Sequence, residues 1–80
     1  MTKIKQYIII VNAREKNWLH KQISFEEVVV LAFGMVERVP TYTVHYRKGN
    51  ENQPEGILLS GDSVNIKEGM QFNVTMTNRS

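Results

Sequence analysis

Eighty residues make one domain near the lower end of what buries an adequate core unaided, and an apolar fraction of 41% excludes a disordered chain. The absence of cysteine excludes disulfides and thiolate metal sites. A net charge of +2, with bases and acids interspersed along the chain, excludes the footprint of a dedicated nucleic-acid binder.

The longest apolar runs, residues 7–11 and 28–33, fall far short of the roughly 20 residues that a membrane span needs. Residues 1–6 are mostly polar, and fraying is expected at their start. Lys3 and Lys5 give this start positive charge, but only a short apolar run follows before Asn12. No signal peptide is expected, and a cytoplasmic location is the default.

Residues 7–11 form a continuous β-branched and aromatic run, as expected of a strand covered on both faces. Asn12 and Ala13 follow, and two residues between strands suit a tight primed hairpin turn. Ala13 stands where glycine is preferred, so either the turn is wider or it carries about 1 kcal/mol of strain. Residues 14–19 then read as a second strand, with Trp18 or Leu19 pointing inward.

Residues 23–33 carry the clearest helix signal. Ser24 and Glu27 have the spacing of a capping box, in which each side chain satisfies the other's backbone N–H. Ile23 and Val28 sit at the staple positions, and Glu26 and Glu27 place negative charge where the helix dipole favours it. Phe25, Val28, Leu31 and Ala32 fall on one face as an apolar stripe, and Gly34 offers a stop. Val28, Val29 and Val30 also suit a strand; the cap and the face periodicity decide for helix.

Residues 35–41 read as a loop, because Pro40 disfavours helix at Val39. Residues 42–48 alternate cleanly, with Tyr42, Val44 and Tyr46 on one face and Thr43, His45 and Arg47 on the other. A polar, turn-rich loop over residues 49–56 leads to a short strand at 57–59 and a turn at 60–63. Residues 64–66 suit a strand or a single helical turn. The chain closes on the cleanest alternation of all: Met70, Phe72, Val74 and Met76 inward, Gln71, Asn73 and Thr75 outward. One domain over residues 1–80 follows, of α+β class. Its expected arrangement is a β-grasp, a mixed sheet of four to five strands packed on one helix, with the first and last strands parallel at its centre.

No catalytic constellation emerges, so neither an enzyme nor a cofactor is expected. His20 and His45 are far apart, with no cysteine to complete a metal site. Glu26 and Glu27 are adjacent on a helix and do not face each other; capping explains both. Tyr46, Arg47 and Lys48 make at most a small basic–aromatic patch, better read as a solvated strand end. Two sequons, at Asn73 and Asn78, mean little without an export signal. The physical reading is a protein that binds through its surface.

Four blocks, residues 7–12, 22–32, 42–49 and 67–75, together resemble the bacterial multi-ubiquitin domain, across residues 7–77. That resemblance implies a ubiquitin-like fold and a role as a protein modifier. Domains of the family it resembles often occur in tandem, encoded beside ubiquitin-activating and conjugating enzyme homologues and JAB-type metalloproteases, which are the partners it implies. Target proteins are not identified by it, and neither a membrane nor nucleic acid is expected as a partner. Thr77, Asn78, Arg79 and Ser80 would be the tail that enters the activating enzyme.

Two departures accompany the resemblance. Ubiquitin's tail closes with two glycines, whereas this sequence has none after Gly69. Either the chain is one unit of a tandem, or the family uses a different terminus, or this copy is not conjugated. The outward residues Thr43, His45, Arg47, Gln71, Asn73 and Thr75, the candidate partner-binding face, are also polar and mildly basic where ubiquitin is apolar. Receptors that read ubiquitin's patch are therefore not expected to bind. An unconjugated β-grasp interaction or assembly module is the alternative.

Overall fold

The computed structural model describes residues 6–34 and 41–77. The expected loop around Pro40, the start before Gln6 and the tail residues Asn78, Arg79 and Ser80 lie outside them. In chain order the elements are β1 (Tyr7–Val11), β2 (Arg14–Trp18), β3 (Gln22–Ser24), α1 (Phe25–Phe33), β4 (Thr41–Arg47), β5 (Gly56–Leu58), β6 (Ser63–Asn65) and β7 (Gln71–Thr77). Five strands form one sheet in the order β2-β1-β7-β4-β5, while β3 and β6 make a separate antiparallel ribbon. The parallel pair of first and last strands lies at the sheet centre, as the sequence predicts.

The hairpin turn is tight. Val11 pairs directly with Arg14, and Asn12 and Ala13 both adopt positive φ, at 51° and 68°. The turn is primed and accepts the cost of an alanine in a left-handed conformation. Trp18 packs against the core and donates its indole N–H to the Gln22 carbonyl at 2.9 Å, leaving Leu19 exposed.

Helix α1 starts as its sequence dictates. Ser24 Oγ accepts the Glu27 N–H at 3.1 Å, and Glu27 Oε1 accepts the Ser24 N–H at 2.9 Å. Such a cap is worth about 1 kcal/mol. Gly34 ends the helix at φ 90°, donating its N–H to the Val30 carbonyl. The buried face is Phe25, Val28 and Val29, with Leu31 and Ala32 only half-buried. The apolar stripe is thus rotated toward Val29 from the expected one, because the sheet lies beneath that side.

Four further expectations are corrected. Strand β1 is covered on one face only: Ile9 and Val11 are buried, while Ile8 is 41% exposed and Ile10 half-buried. One short helix makes a two-layer fold, and nothing among the described residues lies over the opposite face of the sheet. Met76, expected inward, is 52% exposed, because its partner register with Tyr42 carries it to the strand end beyond the buried turns of α1. Residues 22–24 add a strand that local pattern did not announce, paired across the fold with β6. That pairing decides for a strand over a helical turn in the segment after Ser63. Strand β5 also runs one residue earlier than expected, so Leu58 is buried and Leu59 exposed.

Candidate functional site

The six residues proposed from alternation converge. Thr43 pairs with Thr75, His45 with Asn73 and Arg47 with Gln71, as three directly opposed pairs across β4 and β7. They occupy the outer face of the sheet because Val44, Tyr46, Phe72 and Val74, the residues between them, are buried in the core. Opposed residues on one face of an antiparallel pair bring their Cβ atoms to about 5 Å, close enough to act as one surface.

His45, Arg47, Gln71 and Asn73 line an open concavity of about 660 Å³. Thr43 and Thr75 share the outer face but lie beyond the concavity. The lining also includes residues that the sequence reading did not assign to this face. Ile10 stands on one side, beside Gln71, with Ala13 of the strained turn; Ile57 stands on the other, beside His45. Ile57 is 56% exposed. The face is therefore not simply polar, as expected, but a polar floor between two aliphatic shoulders. Gly56 faces the core side, opposite the buried Tyr46: a Cβ there would meet the Tyr46 hydroxyl at 3.0 Å.

The shoulders left little trace in the sequence. Ile57 is assigned to the outer face by the β4–β5 register, which sets it opposite His45. Ile8 and Ile10 sit in an apolar run with no alternation to divide its faces.

The other candidates resolve as structure. His20 stacks edge-on against Trp18, with ring centroids 5.4 Å apart, and does not line the concavity that holds His45. Among the described residues, no group of three or more His, Asp or Glu gathers in a metal-ligating cluster. Glu26 accepts hydrogen bonds from the Ser60 hydroxyl at 3.1 Å and the Gly61 N–H at 3.2 Å, which ties the 60–61 turn to the start of α1. Tyr46 is buried, so it forms no surface patch with Arg47 and Lys48. Thr77 ends β7; the rest of the proposed tail lies outside the described residues. No helix among the described residues is long and apolar enough to cross a membrane.

A mixed five-stranded sheet with its parallel pair at the centre, gripping one capped helix on one face, defines a ubiquitin-like β-grasp domain. The sequence profile of the multiubiquitin family matches residues 7–78, and the chain belongs to that family. Neither a curated protein nor a solved structure matches it.

Proposed function

We propose that this domain is a ubiquitin-like protein modifier, read by partner enzymes through the outer face of its sheet and activated at its C-terminal segment. The observation that carries this reading is membership of the multiubiquitin family over residues 7–78. The outer face supplies the complementary half of the reading. In this scheme the domain performs no chemistry. Homologues of ubiquitin-activating and conjugating enzymes form the bonds, a JAB-type protease cleaves them, and the domain supplies a carboxylate and a recognition surface.

The test is intact-mass analysis of the protein mixed with an activating-enzyme homologue encoded beside domains of this family, with ATP, under conditions that preserve a thioester. The expected result is an adduct of enzyme and domain that disappears when residues 77–80 are removed. An enzyme that is demonstrably active yet forms no adduct overturns the modifier reading. The second reading, an unconjugated interaction module, is favoured by one observation: Ile8 and Ile57, at 41% and 56% exposure, put aliphatic surface on the outer face. An interaction module without conjugation needs such a surface and no tail.

A further inference from the structure

We propose that β5 pairs with β5 of a second copy of this chain, antiparallel about a two-fold axis at Leu58, joining two five-stranded sheets edge to edge. The proposal stands apart from the modifier reading and asks nothing of the C-terminal segment.

The two open edges of the sheet differ in what guards them. Strand β2 closes one side and carries Arg14, Glu15 and Lys16, and charges on an edge strand deter pairing. Strand β5 closes the other, and no residue from Gly56 to Gly61 is charged. Ile57 and Leu59, the residue just past the strand, are the two most exposed large apolar side chains among the described residues, at 56% and 62%. Both have the parity of the outer face.

Hydrogen-bond parity decides which backbone groups this edge offers. In β7, the Phe72 carbonyl and both backbone groups of Val74 bond toward β1, so Asn73 and its odd-numbered neighbours point toward β4. Alternation carries this across β4: His45 bonds back to β7, while Val44 and Tyr46 bond to Leu58 and Gly56 of β5. Ile57 is left with its N–H and carbonyl aimed at the open edge, and Leu59 with its N–H. The Leu59 carbonyl accepts the Asp62 N–H at 2.8 Å and keeps a second lone pair.

Those groups suit a second copy in one register. Two chains related about Leu58 set Ile57 of each opposite Leu59 of the other, a hydrogen-bonded pair on both sides of the axis. The Leu59 N–H then donates to the Ile57 carbonyl across the seam, and the Ile57 N–H to the Leu59 carbonyl. The same register packs the exposed aliphatic side chains of the two copies against each other on the outer face. It also sets Glu55 of each copy opposite the uncharged Gly61 of the other. An axis at Ile57 would instead put each Glu55 against a Leu59. A foreign strand gains the same backbone bonds without the matched side chains. Two such pairs make a small interface, so association is expected at roughly 0.1–1 mM protein.

The experiment is sedimentation velocity of the protein from about 10 µM to about 1 mM, with amide chemical shifts followed over the same range. A concentration-dependent dimer is expected, with shifts confined to residues 55–61 and their β4 neighbours 44–46. Ile57→Lys and Leu59→Glu, both at exposed positions, are each expected to weaken association roughly tenfold or more. Mixed together, the two variants are expected to recover it. The register sets the new lysine against the new glutamate on one side of the axis and leaves leucine against isoleucine on the other. Asn17→Lys, on the β2 edge, is expected to leave association unchanged.

A protein that stays monomeric at about 1 mM, shifts on another surface, a dimer that survives both substitutions, or a mixture that recovers nothing would overturn the proposal. Shifts at residues 55–61 raised by an extended valine-rich peptide, in a protein that stays monomeric by itself, would overturn it in favour of a foreign strand on the same edge. None of these results bears on the enzyme adduct, so the failure of either proposal leaves the other standing.

Discussion

Strand β7 has a neighbour on each side, and the two seams are built differently. Against β4 it makes seven register pairs, from Thr41↔Thr77 to Arg47↔Gln71. Against β1 it makes two, Ile10↔Gln71 and Val11↔Phe72. Backbone bonds from Ile10 to the Met70 carbonyl and from Asn12 to the Phe72 carbonyl carry the short parallel ladder, each at 2.9 Å. At the Ile8 end one more backbone bond follows, from the Gly69 N–H to the Ile8 carbonyl at 2.8 Å, and side chains complete the seam at both ends. The Asn12 carboxamide stands in for a further residue of β1, donating to the Val74 carbonyl at 3.1 Å and accepting the Val74 N–H at 2.7 Å. At the other end, Glu68 Oε1 accepts the Ile8 N–H at 3.0 Å. A backbone ladder tolerates sequence change because every residue except proline carries a donor and an acceptor. A ladder completed by side chains depends on those particular side chains. The antiparallel seam is generic, and the parallel one adds Asn12 and Glu68 to a short backbone ladder.

The largest expected effect erases the contrast. Phe72 is 1% exposed in β7, the strand common to both seams, and its ring lies 6.4 Å from that of Tyr46. Phe72→Ala is expected to cost about 3–5 kcal/mol. That is a large part of the roughly 4–12 kcal/mol expected for a domain of this length, and urea denaturation measures it. The next substitution exposes the contrast. Asn12→Ala removes both bonds to Val74 and puts a second alanine at positive φ, for an expected loss of about 2–4 kcal/mol. Thr43→Ala, on the antiparallel seam, is expected to stay within about 0.5 kcal/mol of wild type. A loss at Asn12 as small as that at Thr43 would mean that the parallel seam does not depend on its side chains.

The same division separates what the sequence made legible from what it hid. Ser24 and Glu27 meet within one turn, so the cap could be read locally. Alternation in β4 and β7 assigned the six outer-face residues, because the parity of a strand is a local property. The pairing of Ser24 with Ser63, across 39 residues, has no local signature, and β3 was not anticipated. Parity also says nothing about what covers a face. Ile8, Ile10 and Met76 were misplaced for that reason: their exposure depends on where α1 lies and where it ends. The polar floor of the candidate site was therefore legible and its aliphatic shoulders were not.

Ala13 sharpens the comparison from the turn that joins β1 to β2. At φ 68° its methyl is strained, and Ala13→Gly relieves about 1–2 kcal/mol while giving back part of it as unfolded-chain entropy. A net gain of about 0.5–1 kcal/mol is expected, read as a higher urea midpoint at unchanged slope. A loss would mean that the methyl, which lines the concavity, makes packing contacts worth more than the strain.

The smallest effect isolates the other side-chain end of the parallel seam. Glu68 is exposed, so the global stability of Glu68→Ala is expected to stay close to that of wild type. The local signature is different: amide exchange at Ile8 is expected to quicken while that at Val74, held by Asn12, keeps its rate. Because the bond ends on a solvated carboxylate, added salt is expected to narrow the Ile8 difference between the two proteins. Unchanged exchange at Ile8 would show that this amide is held without Glu68. Faster exchange at both Ile8 and Val74 would show that the two ends of the seam open as one unit, with the short ladder between them too weak to keep them apart.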